Sequence, residues 1–379
     1  MRISTTAPIE VASSLAQQFA ARAGEADRRG QLPPEDVQAL KTSGYIGMSI
    51  PTEYGGQGLS LRDCLAAHLE LAQGSASTAM VAGMPLHILG HQREARSWPE
   101  EFFERLCRAS VAGGLVNAAA SEPTLGSPSR GGLPATTATP NGDGWILNGH
   151  KTWTTGGRHL THMLVSARID DDPAQILVLQ DTPGIEWQET WSDSLSLRAS
   201  DSHDVFFKDV KVPAENLFQR GRETGPPLPN AWFPMVMSSV YLGAAIAARN
   251  AIIQYALERV PTALGQPIAT LPKIQRQIGE IDLVLQAARA LFFEVAGQWT
   301  GDHESWHKVY PRVVAAKSLI TEAALEVTEK ALRVAGGISI TKDLPLERHF
   351  RDVRAGSMQP PSGDTALELI GRHAIESYR

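Results

Sequence analysis

The chain has 379 residues, 42% of them hydrophobic and 20% charged, with a formal net charge of −6. This is the balance of a globular protein of two or three folding units; its acidity, and its lack of basic runs interleaved with aromatics, speak against nucleic acid or an anionic membrane as partner. The only two cysteines, Cys64 and Cys107, lie far apart and outside any CxxC pattern, which speaks against a disulfide framework or zinc–thiolate site and for a reducing, cytoplasmic location.

The N-terminal MRISTTAPIEVASSLAQQ lacks the apolar core of a secretion signal. Helical periodicity then runs to about residue 110. VASSLAQQFAARA and PPEDVQALKTSGY predict amphipathic helices, the second opened by prolines suited to a first turn. GMSIPTEYGGQGLSLRDC breaks the pattern with glycines and a proline, LRDCLAAHLELAQ resumes it, and ASTAMVAGMPLHILG predicts a further apolar helix. From about 111 to 220 the pattern is that of strands. THMLVSARI, AQILVLQD and HDVFFKDVKV are short, rich in β-formers and separated by Asp, Pro and Gly turns, predicting a compact antiparallel β domain.

Helices return from about 232. FPMVMSSVYLGAAIAARNAIIQYALER is apolar nearly all round and dense in small residues, as suits the inside of a bundle. PKIQRQIGEIDLVLQAARALFFEVAGQW and Val313–Val334 predict its partners. The most apolar window, Met235–Ala248, is too short to span a bilayer, so no membrane insertion is expected. The fold class is thus α+β and multi-domain. A helical domain (1–110) is followed by an antiparallel β domain (111–220) and a four-helix-bundle domain (221–379).

The most informative stretch is SEPTLGS (Ser121–Ser127) followed by HKTWTTGG (His150–Gly157), with the tight-turn signal Asn141-Gly142-Asp143-Gly144 between them. Trp153 and Thr155 share strand parity and so point to one face. An indole beside a hydroxyl suits a flat heteroaromatic, stacked and hydrogen-bonded at its rim. An ordinary hairpin with a core tryptophan is the plain alternative. There is no G-x-G-x-x-G after a strand, no P-loop, no H-E-x-x-H and no G-x-S-x-G. His87 and His91 share a helical face, but without a third partner they predict no metal site.

In order and spacing the motifs resemble those of the acyl-CoA dehydrogenase superfamily of flavoproteins. They are GYIGMSIPTEYGGQGLSL, AASEPTLGS, GDGWILNGHKTWTTG, FKDVKVPAENL and ALRVAGGISITKDLPLERHFRDVRAG. The resemblance covers nearly the whole chain. It implies FAD held between the β domain and the bundle, a homodimer or homotetramer, an acyl-thioester or other small-molecule substrate, and an electron-acceptor protein or flavin reductase as partner. Position by position, it implies that Ala120, Ser121, Trp153 and Thr155 line the flavin ring and that Gly126 and Ser127 form the adjoining turn. It likewise implies that Gly336 and Gly337 touch a neighbouring subunit's dinucleotide, that Arg259 meets its pyrophosphate, and that Ser362 approaches the adenine side. A helix C-cap accounts equally well for the glycine pair. For Glu347, Arg348, Arg351 and Asp352, ion pairs fixing the C-terminal helices are the preferred reading.

Family dehydrogenases need a carboxylate to remove the α-proton of the thioester. Aligned on Arg351 to Arg372, the customary glutamate position is Pro360; the alternative position, aligned on YALER, is Phe233. Neither residue can be a base, and Pro234 and Ala231 replace two further substrate-side residues of the family. Asp364 is the nearest carboxylate, although Thr365-x-x-Glu368 predicts a capping box there, with Asp364 or Ser362 as other caps. Three functions therefore compete. The first is an FAD-dependent oxidoreductase acting on an acyl thioester or related substrate by hydride transfer to flavin N5. The second is a two-component flavin-dependent monooxygenase of the same fold, and the third a non-catalytic flavoprotein.

Overall fold

The computed structural model describes residues 6–125, 132–221 and 228–378. Five helices come first: α1 (Thr6–Arg29), α2 (Pro34–Thr42), α3 (Leu61–Gly74), α4 (Ala76–Ala95) and α5 (Glu100–Val111). Hydroxyl caps set two of their starts. Ser60 accepts the Asp63 N–H at the head of α3, and Ser75 accepts the Thr78 N–H at the head of α4. Helix α4 is buried on almost every face, because α3, α6 and the β domain all pack on it.

Eight strands form one sheet: β1 (Val116–Ala119), β2 (Thr137–Asn141), β3 (Gly144–Thr154), β4 (His162–Ile169), β5 (Asp172–Leu179), β6 (Ile185–Gln188), β7 (His203–Pro213) and β8 (Leu217–Arg220). Their order is β6-β7-β3-β2-β4-β5-β8, with β1 beside β4. The turn between β2 and β3 is Gly142-Asp143, where φ of +62° at Gly142 requires the residue the sequence supplies. The sheet is antiparallel with two exceptions: β1 runs parallel to β4, and β2 meets β4 in parallel at Thr137 and Arg168. Alternating residues of β3, β4, β5 and β7 (Leu147, Val165, Ile176, Phe207) build a core of their own.

The last five helices are α6 (Trp232–Glu258), α7 (Pro272–Gln298), α8 (His303–Ala335), α9 (Leu346–Asp352) and α10 (Gly363–Glu376). Helices α6, α7 and α8 pack together, α10 lies along α8, and α6 also packs on α3 and α4, so both helical parts share one core. Three expectations change here. Helix α6 is 27 residues long and apolar enough to cross a membrane, so the short-window argument fails; 67% of its apolar window is instead buried in the protein. Helix α8 starts at His303, well before Val313, capped by Asp302 through the Ser305 N–H at 2.8 Å and continuing through Pro311. Helix α10 starts behind Ser362 with no side-chain cap, so neither the Thr365–Glu368 box nor a Ser362 or Asp364 cap forms.

Candidate functional site

The two motifs of the β domain are joined by a buried ion pair. Lys151 Nζ donates to Glu122 Oε1 at 2.6 Å, with the two side chains 0% and 2% exposed. Glu122 also accepts from Ala135 N (2.6 Å), Thr136 N (3.0 Å) and Thr136 Oγ1 (2.6 Å). Burial alone would push the Glu122 carboxyl up. The Lys151, Thr136 and Ala135 donors outweigh it and hold the group below its ordinary value. Burial also pulls the Lys151 amine down, only partly offset by Glu122. Beside the pair, the Thr152 N–H donates to Ser121 O at 2.9 Å, so the half-buried Ala120 and Ser121 run along the end of β3.

At that end the strand departs from simple alternation. The register with β7 shifts between Lys151 and Thr154, and Trp153 takes φ of +56°, left-handed backbone that a bulky residue rarely adopts. Parity counting therefore does not set the directions of Trp153 and Thr155, and Thr155 lies beyond the last residue of the strand. A turn brings them together instead. Thr155 N donates to Trp153 O at 3.0 Å, its hydroxyl meets Ser202 Oγ at 2.9 Å, and Asn117 Nδ2 holds its carbonyl at 2.9 Å. Trp153 is left 63% exposed, so it is not the core residue of an ordinary hairpin.

Helix α4 abuts this turn. A Cβ on Gly156 would stand 3.6 Å from Val81 Cγ1. Next to Val81 in sequence, the Met80 sulfur accepts a 4.0 Å contact from Gln359 Nε2, which brings the segment before Pro360 onto the same helix. Gln359 Oε1 is buried without a partner, as is Thr154 Oγ1. Lys317, buried on α8, donates to Gln359 O at 2.9 Å, and burial pulls its amine down to about 8. Pro360 itself is exposed. Phe233 at the head of α6 is half-buried, with the His87 ring edge-on at 5.1 Å. Burial holds His87 and His91 neutral, pulling their pKa values down to about 3 and about 4.

Of the four C-terminal charges expected to pair, Glu347 and Arg351 do so, whereas neither Arg348 nor Asp352 forms an ion pair among the described residues. Arg351 bridges Asp27 on α1 (2.6 Å) and Glu347 (2.7 Å). Asp352 is fully enclosed: its Oδ1 accepts the Leu197 N–H at 2.9 Å and its carbonyl accepts from Ser196 Oγ at 2.6 Å. Burial raises its carboxyl to about 6, against the pull of Arg348.

Gly336, Arg259, Ser362 and Asp364 all sit at helix ends. Gly336 caps α8 at φ +70°, passing its N–H to Leu332 O; a Cβ on Gly336 or Gly337 would meet nothing within 4 Å. Arg259 is exposed at the C-terminus of α6 and Ser362 half-buried before α10. Asp364 is exposed in the first turn of α10. Gly126 and Ser127 fall outside the described residues. Among the described residues, no group of three or more His, Cys, Asp or Glu converges on a common point. The sequence reading missed Glu122, Lys151, Gln359 and Lys317. Each finds its partner far along the chain, 29 residues away for Lys151 and 42 for Lys317, and no local pattern marks it.

Family models match along the chain: acyl-CoA dehydrogenase N-terminal domain over residues 9–116, middle domain over 117–210 and C-terminal domain over 235–359. The chain belongs to the acyl-CoA dehydrogenase family. A relative, YdbM of Bacillus subtilis (strain 168), is 36% identical over 97% of both chains. The mitochondrial short-chain specific acyl-CoA dehydrogenase of Bos taurus is 28% identical over 94% of this chain and 86% of its own. A solved structure of KijD3, bound to FMN and dTDP-3-amino-2,3,6-trideoxy-4-keto-3-methyl-D-glucose, superposes with a TM-score of 0.83. It shares 28% identity, covering 99% of this chain and 94% of KijD3. Butyryl-CoA dehydrogenase from Megasphaera elsdenii, at 23% identity, has a TM-score of 0.83, covers 98% of each chain and shares the fold.

Proposed function

We propose that this family member is a flavin-dependent oxidoreductase that holds FAD against the Trp153–Thr155 turn. The observation carrying the proposal is Trp153 itself, a large apolar side chain left 63% exposed on a backbone of positive φ. Such a conformation costs on the order of 1–3 kcal/mol and persists at sites where the exposed group is used. The surroundings fit a ring with a polar rim. The buried, unpartnered Thr154 Oγ1 and Gln359 Oε1 lie on two segments that each reach α4, at Val81 and Met80, and Ala120 and Ser121 border the end of β3. Gly337 has no neighbour within its own chain that requires a glycine, which accords with a second subunit or a dinucleotide approaching there. Gly126, Ser127, Gly336, Arg259 and Ser362 complete the proposed cofactor contacts.

A bound flavin supplies a two-electron acceptor for a substrate C–H bond. The protein then has to hold the substrate in register and manage its proton. Met80 and Phe233 offer apolar contact, and Gln359 offers an amide to a carbonyl or hydroxyl. With Phe233 and Pro360 at the customary base positions, proton removal falls to the substrate, to water or to Asp364. The acyl-CoA dehydrogenase name of the 28% identical Bos taurus relative favours an acyl thioester, with an electron-acceptor protein as partner. The missing acids, together with the FMN bound by KijD3, favour a second reading: a monooxygenase fed with reduced flavin by a reductase. A homodimer or homotetramer of three-unit chains (1–110, 111–220, 221–379) in the cytoplasm completes the proposal.

Metal-free, flavin-free protein titrated with FAD and with FMN tests the cofactor by quenching of flavin fluorescence. The expected result is tight retention by the parent and at least a tenfold loss in Trp153→Ala, with an unchanged melting temperature. Equal retention by the variant would refute the placement. Anaerobic mixing of the flavin-loaded protein with acyl thioesters then separates the two readings: bleaching of the flavin supports the dehydrogenase. An absence of bleaching, with oxygen-dependent substrate turnover once reduced flavin is supplied, supports the monooxygenase.

A further inference from the structure

At the head of α8, His303 and His307 stand one turn apart and are both exposed. Their Nε2 atoms are 3.2 Å from each other, and their ring centroids 4.5 Å, with the planes at 65°. The two Nε2 atoms thus face each other within hydrogen-bond distance. Two imidazoles bound to one zinc-sized ion at about 2.05 Å and 3.2 Å apart subtend about 100° at the ion, close to the tetrahedral angle. Each ring can offer its Nε2 lone pair toward that point once neutral.

The neighbours leave the pair free for such use. Glu304, between the two histidines in sequence, is engaged by Lys308 at 2.6 Å. The Asp302 carboxylate is taken by the Ser305 N–H and the Thr300 hydroxyl. Trp306 packs beside His303, with ring centroids 6.2 Å apart, and fences one side. No carboxylate ion-pairs with either imidazole among the described residues.

We propose that His303 and His307 form a two-nitrogen site for a divalent transition ion of the imidazole-preferring class (copper, nickel or zinc), its other positions filled by water. The ion clips the first turn of α8, ordering the start of a 33-residue helix that also carries Lys317. The 3.2 Å approach of the two exposed Nε2 atoms sets the bite, a convergence not shown by His87 and His91. Two nitrogens give modest affinity, ranked copper(II) above nickel(II) and zinc(II) in keeping with the usual order for nitrogen donors.

The test is calorimetric titration of chelator-treated full chain with copper(II), nickel(II) and zinc(II) salts, on the parent and on His303→Gln, His307→Gln and the double variant. Both positions are exposed, and matching thermal melts in the absence of metal confirm that the variants fold. The expected result is one ion per chain in the parent, weakened at least tenfold in either single variant and lost from the double variant. For copper, a visible ligand-field band should disappear with it. A parent that binds none of the three ions, or a double variant that binds with unchanged stoichiometry and affinity, overturns the proposal.

Discussion

Replacing Lys151 with Met removes one partner of the buried pair that joins the two motifs of the β domain and leaves the Glu122 carboxylate enclosed. Breaking a buried pair from one side costs about 3–5 kcal/mol, because the surviving charge has no water to replace its partner. Glu122 keeps three donors, Ala135 N, Thr136 N and Thr136 Oγ1, so the low end applies: about 3 kcal/mol, more than a hundredfold in the folding constant. Urea unfolding of the parent, Lys151→Met, Glu122→Gln and the double variant measures it. In the double variant the charge is gone, so it should lie at least about 1 kcal/mol above Lys151→Met. The sign in pH follows from the lowered carboxyl. Its stabilisation is complete above the ordinary carboxylate value of 4.5 and is lost as pH falls below it, so parent and Lys151→Met converge in acid. A loss under about 1 kcal/mol at neutral pH, the size expected of an exposed pair, would refute the reasoning.

Gly90→Ala should destabilise by about 1–3 kcal/mol, since its Cβ would lie 2.4 Å from the ring of the fully buried Trp232, itself held by Glu94 Oε1 at 2.8 Å. Thermal melting checks this, and recovery in Gly90→Ala/Trp232→Leu would assign the loss to that contact. Asp352→Asn keeps an acceptor for the Leu197 N–H and removes a buried charge. Because burial raises the Asp352 carboxyl to about 6, the parent loses stability as pH rises from about 4 through 6, and the variant does not. The variant should therefore gain about 1–3 kcal/mol at pH 8 and nothing at pH 4, read from urea midpoints at both.

Much of the architecture is visible in local patterns. Helical period marks α1, α3, α4, α6 and α7, and β-formers bounded by turns mark β4, β5 and β7, because each such pattern is satisfied within its own segment. What escaped depends on partners distant in sequence. The parallel pairing of β1 with β4 joins residues whose order in the sheet no alternation encodes. The first turns of α8 carry an apolar stripe of Trp306, Val309, Tyr310 and Val313, but Pro311 in its midst reads as a helix breaker, so the helix begins ten residues before the pattern predicts. At the site, the motifs led to Trp153 and Thr155, but the parity argument failed because a bulge inserts a residue where counting assumes none. The charged residues that hold the site together, Glu122, Lys151 and Lys317, carry no local signature, since a lysine destined for burial is written like one destined for water.

The anchoring of α9 has a consequence for how the chain comes into being. Arg351 grips Asp27 across 324 residues of sequence, and Asp352 grips Ser196 and Leu197 across more than 150. Helix α9 therefore works as a late-arriving latch. While the chain is being synthesised, at roughly 5–20 residues per second, the N-terminal helices and the sheet wait many seconds for the residues that tie them to each other. In the first part of that interval, before residues 232–258 are made, α4 has no α6 to cover it. Nascent chains stalled before residue 232 should accordingly be rich in exposed apolar surface and easily cleaved, and chains extended past Asp352 resistant.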